Sequence, residues 1–261
     1  MNTTDRHIAS AFDRDLETVQ ALVVKMGGLV ETAIDEAARA LENRDDELAE
    51  EVRRRDRAID ALEQQINEEA ARVIALRAPN ATDLRVVLTV IKISGSLERV
   101  GDYAKNIAKR THVLSHLPAI DGAGMALRRM SGTVETMLKD ALDSYVHRDA
   151  ALAADVRARD LEVDQMYNAL FREFLTYMME DPRNITSCMH LHFIAKNIER
   201  MGDHATSIAE QVLYLVSGTL PEDARPKSDS VARPPVPTDP AADRADDPGA
   251  GPAPRPTPGA G

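Results

Sequence analysis

The 261-residue chain has no Trp, a single Cys and only 3% aromatic residues. The lone Cys188 excludes an internal disulfide and any thiolate-based metal site, which suits a reducing compartment. Strand formers are scarce, whereas Ala, Leu, Glu, Asp and Arg are abundant, a helical composition. No run of about 18 apolar residues occurs, so no segment reads as a membrane span. The start, Met1 to His7, lacks a charged-then-apolar leader, and the expected location is the cytoplasm, without direct membrane insertion. Positive charge is outnumbered: 32 Lys and Arg against 43 Asp and Glu leave a net of −11. That balance argues against nucleic acid as a partner, because phosphate backbones are bound by basic surfaces. Catalytic signatures are missing as well: there is no glycine-rich phosphate loop, no G-x-S-x-G and no H-E-x-x-H. No Glu is followed three residues later by His, which removes the di-iron helical oxidases. The chain therefore does not read as an enzyme.

Proline is absent from long stretches and concentrated elsewhere. Apart from Pro79, Pro118 and Pro182, all 14 prolines lie between Pro221 and Pro258. Residues 219–261, rich in Pro, Ala, Gly and Asp, have almost nothing apolar to bury and are expected to be disordered. The body before them reads as six helices. The first, about Asp5 to Glu42, carries Ile8, Phe12, Leu16, Val19, Val23, Met26, Val30 and Ile34 at steps of three and four. Gly27-Gly28 inside it predicts a kink or a close helix approach. After a turn at Asn43-Arg44-Asp45, a second helix runs from about Asp46 to Arg77 with Leu48, Val52, Ile59, Leu62, Ile66, Val73 and Ile74 as its stripe, and Pro79 ends it. A third is expected over about Thr82 to Leu117, with Leu84, Leu88 and Ile91 as an apolar face that leads on to Glu98 and Asp102, so that the two carboxylates are expected where the apolar seam would otherwise continue. Beyond Pro118 and Gly122-Ala123-Gly124 come helices over about Met125 to His147, Asp149 to Glu180 and Thr186 to Gly218.

The second three helices repeat the first. Val30-Glu31 returns as Val134-Glu135, the stretch from Glu51 to Asp60 as that from Asp155 to Asp164, and Pro79 as Pro182. The expected architecture is all-α: two tandem three-helix bundles of long antiparallel helices, residues 1–118 and 119–218, followed by the 219–261 tail.

The most specific repeat is Leu97-Glu98-Arg99-Val100-Gly101-Asp102-Tyr103-Ala104-Lys105-Asn106-Ile107-Ala108, which returns as Ile198-Glu199-Arg200-Met201-Gly202-Asp203-His204-Ala205-Thr206-Ser207-Ile208-Ala209. In each copy Glu and Asp stand four apart, one turn above the other on a single helix face. On the preceding helices Asp56 and Asp60 match Asp160 and Asp164, again four apart. Antiparallel neighbours bring these pairs together, so each half presents four carboxylates from two helices. Oxygen-only clusters suit hard cations, or iron, manganese or zinc in multinuclear sites. The bland alternative is ordinary helix-surface ion pairing with Arg53, Arg55, Arg57, Arg99 or Arg200. His204 reads as a packing residue, the Arg53-Arg54-Arg55 run as a solvated face, and Met178, Met179, Met189 and Phe193 as core.

Two three-helix halves, each with D-x-x-x-D on the middle helix and E-R-[VM]-G-D-x-A-x-[NS]-I-A on the last, resemble the PhoU family over about residues 8 to 217. The resemblance implies a regulator, not an enzyme. Such proteins keep the phosphate-starvation regulon off by coupling the phosphate ABC transporter, through its ATPase subunit, to a phosphate-sensing histidine kinase. It further implies a homodimer and multinuclear metal clusters of iron or zinc, with manganese or magnesium as alternatives. Carried over by position, the ligands are Asp56, Asp60, Glu98 and Asp102 in one half and Asp160, Asp164, Glu199 and Asp203 in the other. The rival readings are a metal-free helical interaction scaffold and a metal-dependent hydrolase. The tail departs from the family pattern.

Overall fold

Hairpins between long helices dominate the computed structural model, which describes residues 3–77 and 79–221, with side chains from residue 14 on. The described residues form α1 (Thr3–Asn43), α2 (Asp46–Arg77), α3 (Ala81–Leu114), α4 (Ala123–His147), α5 (Ala150–Glu180) and α6 (Ile185–Ser217), with one 3-10 turn at Pro182–Asn184. No strand occurs among them. The six expected helices are all present, most of them within a few residues of their expected ends. The side chains of Ile8 and Phe12, and the tail from residue 222 on, lie outside the described residues.

Matching turns build the two hairpins. Arg44 and Arg148, equivalent in the repeats, both adopt left-handed backbone, φ 55 and 53. Across each turn the following Asp donates its N–H back into the helix just ended: Asp45 to the Ala40 carbonyl and Asp149 to the Ser144 carbonyl, both 2.9 Å. Each Asp then caps the next helix. Asp45 Oδ1 accepts from the Leu48 N–H at 2.9 Å, and Asp149 Oδ1 from Ala151 and Leu152 at 2.9 and 3.0 Å. Arg44 has a further role absent from Arg148: its guanidinium donates to the Leu114 and Leu117 carbonyls. Those bonds hold the loop after α3, which ends at Leu114, three residues earlier than its periodicity predicts.

One continuous hydrophobic cluster draws on all six helices. Besides the packing within each hairpin, α1 packs on α4 and α3 on α6, so the repeats share a core. On α1 the expected stripe is buried at Val19, Val23, Met26, Val30 and Ile34. The helix runs unbroken through Gly27-Gly28, and Gly27 marks a close approach: a Cβ there would stand 2.4 Å from Leu142 Cδ1.

Two sequence expectations need correction. The buried face of α3 is Val90, Ile93, Leu97, Val100, Ala104 and Ile107, whereas Leu88 is exposed. Glu98 and Asp102 therefore stand beside the seam and do not interrupt it. Of the four residues read as core on α5 and α6, only Met178 packs against the core; Met179, Met189 and Phe193 are exposed at 78%, 39% and 43%. The α6 core face runs through Leu191, Ile194, Ile198, Met201 and Ala205, and Phe193 lies about 100° away from Ile194 around the helix. No helix among the described residues is long and apolar enough to cross a membrane.

Candidate functional site

The two glycines of the repeated signature bring the aspartates of the neighbouring helix close. Gly101 faces α2, and a Cβ on it would lie 3.0 Å from Ile59 Cδ1 and 3.8 Å from Asp56 Oδ1. Gly202 faces α5 in the same way, with Val163 Cγ1 at 3.3 Å and Asp160 Oδ1 at 3.5 Å from the corresponding point. Without a side chain at these positions, α3 seats against α2 and α6 against α5. Asp56 and Asp160 are thereby only 4% and 2% exposed, deeper than the stripe edge that periodicity indicated.

The first acidic cluster carries its own cations. Lys105 Nζ stands 2.5 Å from Asp56 Oδ2 and 3.4 Å from Asp102 Oδ1. Asp56 Oδ2 has no partner of ideal hydrogen-bond geometry, so the close ammonium acts as an ion-pair contact. Arg99, 60% exposed, reaches Glu98 at 3.4 Å and Asp102 at 3.8 Å. The ion-pair reading thus holds for Arg99. Arg53 and Arg55 instead pair with Glu50, and with Glu51 and Glu36, on the outer surface. Asp60 lies on the open side of the cluster, and its carboxyl is pushed up by burial and then by Asp56. Glu98 is pushed up by burial, then by Asp102 and, more weakly, Asp60, the influences of which place all three within electrostatic reach.

The second cluster repeats the carboxylates with different cations. Glu199 is pushed up by burial; Lys196 at 2.8 Å opposes the shift, and Asp203 and Asp164 add to it. Its Oε2 is buried without a hydrogen-bond partner. Where the first repeat has Lys105 the second has Thr206, whose hydroxyl donates to the Gly202 carbonyl at 3.0 Å. Where the second has Lys196 the first has Gly95. Neither lysine is among the residues that the repeat singles out, although each lies three residues from a signature carboxylate, the spacing of an intrahelical ion pair.

All eight expected residues therefore group as four and four, each group at the contact of two helices. Their donor set is carboxylate oxygen throughout, which suits a multivalent cation, and the Lys105 ammonium marks a point in the first cluster that attracts positive charge. In the conformations seen, no three His, Cys, Asp or Glu side chains among the described residues converge closely enough to hold a metal ion. His204 packs ring to ring with Tyr103, centroids 5.8 Å apart.

Comparison with known proteins matches both repeats. The sequence model of the family described as PhoU domain matches residues 23–111 and again 127–212. A Zymomonas mobilis protein named phosphate-specific transport system accessory protein PhoU homolog is 48% identical over 222 residues, 85% of this chain and 93% of its own. A Rhizobium meliloti protein of the same name is 46% identical over 229 residues, 85% of this chain and 94% of its own. The crystal structure of PhoU from Pseudomonas aeruginosa superimposes with a TM-score of 0.78 at 40% identity, covering 80% of this chain and all of that one.

Proposed function

This chain belongs to the PhoU family, and from that membership we propose that it is an accessory regulator of phosphate uptake, restraining a phosphate ABC transporter through the ATPase subunit. In the same reading it couples the transporter to a phosphate-sensing histidine kinase and keeps starvation genes off when phosphate is plentiful. It acts in the cytoplasm as a homodimer without catalytic turnover. The observation that carries the proposal is the match of both repeats to relatives named as transport-system accessory proteins, over 85% of the chain.

The eight carboxylates are its proposed metal ligands: Asp56, Asp60, Glu98 and Asp102 in one half, Asp160, Asp164, Glu199 and Asp203 in the other. Iron or zinc is the expected metal, with manganese or magnesium as alternatives. Bound cations would neutralise the clusters and cross-link α2 to α3 and α5 to α6. The chain's own part is geometric. Gly101 and Gly202 seat the helices, Asp56 and Asp160 supply buried anchors, and Glu98 and Glu199 hold carboxylates whose charge is disfavoured until a cation arrives. A second reading is favoured by Lys105 and Arg99, which already supply positive charge in the first half: the chain is then a metal-free scaffold there.

Deleting the gene in a strain with no second copy, with a phosphate-repressed reporter in rich phosphate, tests the regulatory reading. Expression should rise, and a silent reporter would refute it. Metal content per chain, measured by plasma mass spectrometry on untagged wild type, Asp102→Asn and Asp203→Asn, tests the ligands. Metal lost from each variant supports both clusters, loss only with Asp203→Asn leaves the first half to Lys105, and no metal in wild type removes the metal from the mechanism.

A further inference from the structure

Arg110 on α3 is a cation left without an anion. It forms no ion pair with a carboxylate among the described residues, although the chain carries 43 Asp and Glu. Its guanidinium lies over the Phe193 ring, 4.4 Å from the centroid, and its Nη1 stands 3.3 Å from His190 Nδ1. A guanidinium only donates, so His190 Nδ1 accepts and the ring is neutral; burial and Arg110 both push His190 down, in keeping with that role. Burial also pulls Arg110 below its ordinary range.

Around Arg110 the surface is apolar and aromatic. Ile185, Met189 and Phe193 follow one another at single-turn spacing on α6, exposed at 46%, 39% and 43%. On α5, Phe171 contacts the His192 ring at 5.2 Å, and this sets the register of the antiparallel hairpin. Leu175 is then level with Met189 and Met179 with Ile185, both exposed. His192 Nδ1 is buried there without a hydrogen-bond partner. A strip of Met, Phe, Ile and Leu in a chain so poor in aromatics, edged by a guanidinium that pairs with no carboxylate among the described residues, has the chemistry of an interface centre and not of a solvated face.

We infer that this α5–α6 strip binds an amphipathic helix of the transporter's ATPase subunit, its apolar residues seated on Met189, Phe193 and Leu175 and a Glu or Asp at its edge paired with Arg110. The inference rests on the transporter reading given above. The choice of occupant follows from complementarity. Anchors repeating every turn along α6 match a helix with apolar residues at steps of three and four, and the planar guanidinium, half-buried and stacked on Phe193, can donate to a carboxylate in bidentate geometry. A carboxylate arriving there gains an ion pair that is shielded from salt more than one in open water.

The test is the affinity of the full chain for the purified ATPase subunit, measured by calorimetry, for wild type, Arg110→Glu, Arg110→Lys, Phe193→Asp and Arg57→Glu. Arg57 is exposed on α2, which makes no contact with α6 among the described residues. Unchanged circular dichroism and melting keep the comparison among folded proteins. Arg110→Glu and Phe193→Asp should each weaken binding about tenfold or more, Arg110→Lys less, and Arg57→Glu not at all. Binding of all variants at wild-type strength overturns the inference while the transporter reading stands. So does a defect confined to self-association in sedimentation, which makes the occupant a second copy, or confined to phosphatidylglycerol-containing vesicles, which makes it lipid. If wild type itself binds no ATPase subunit, the transporter reading fails, and this surface assignment falls with it.

Discussion

Tyr103 and His204 occupy the same position in the two repeats and stack against each other, ring centroids 5.8 Å apart with planes inclined by 39°. Each directly follows a signature aspartate, Asp102 or Asp203. The signature thus does two jobs on adjacent helix faces: one residue enters the acidic cluster, and the next joins α3 to α6. A double-mutant cycle with Tyr103→Leu and His204→Leu should give a coupling of about 0.5–1.5 kcal/mol, the range for an aromatic pair beyond its buried area. Additive effects of the two changes in denaturant unfolding would mean that the rings merely adjoin.

Glycine in these helices has two opposite meanings, and alanine substitution separates them. Gly28 is exposed with nothing within 4 Å of a built Cβ, so Gly28→Ala should stabilise by about 0.5–1 kcal/mol through helix propensity. Gly101→Ala gains the same propensity but drives a methyl to 3.0 Å from Ile59, itself 2% exposed. Overpacking of that kind costs about 1–3 kcal/mol. Urea unfolding should therefore rank Gly101→Ala below Gly28→Ala by at least about 1 kcal/mol, and equal stabilities would show that α2 and α3 can part freely.

Lys105 neutralises a carboxylate that cannot reach water. Removing the ammonium in Lys105→Met leaves Asp56, 4% exposed, beside Asp60, Glu98 and Asp102. Breaking a buried pair typically costs about 3–5 kcal/mol, and the lower end applies because the Lys105 side chain remains 30% exposed. Thermal unfolding in chelator should show the loss, and Asp56→Asn on the same background should recover part of it. If Lys105→Met melts with wild type, the pair contributes nothing and Asp56 is held by other contacts.

How far the sequence reached is clearest on α3 and α6. The repeat placed all eight carboxylates because identical spacing in two copies is independent of any one stripe. Leu84, Leu88 and Ile91 have helical spacing, but so do Val90, Ile93, Leu97, Val100, Ala104 and Ile107, and packing against α1, α2 and α6 selects the second set. Phe193 and Met189 read as core because hydrophobicity alone does not say which way a side chain faces; the uninterrupted run Leu191, Ile194, Ile198 and Met201 on another face was the available signal. Lys105 carries no distinguishing signal in the sequence: a lysine three residues past Asp102 has the spacing of an ordinary surface ion pair, and its contact with Asp56 on α2 exists only once the helices pack.

Glu199 links the site to pH. Burial raises its folded-state pKa above the ordinary 4.5, and Lys196 only partly opposes the shift. The folded chain then binds this proton more tightly than the unfolded chain, so stability falls as pH rises through the window from about 4.5 to the raised value. Glu199→Gln removes the buried charge and keeps the shape. In chelator at pH 7.5 it should melt above wild type, and the gap should close as pH approaches 4.5, where wild-type Glu199 becomes protonated. A gap that persists unchanged at low pH would trace the effect to packing and not to charge. Added zinc reverses the expectation under the metal reading: a cation stabilises the ionised carboxylate, so wild type should gain melting temperature by mass action and Glu199→Gln should gain less. Equal gains in the two proteins would take Glu199 off the ligand set.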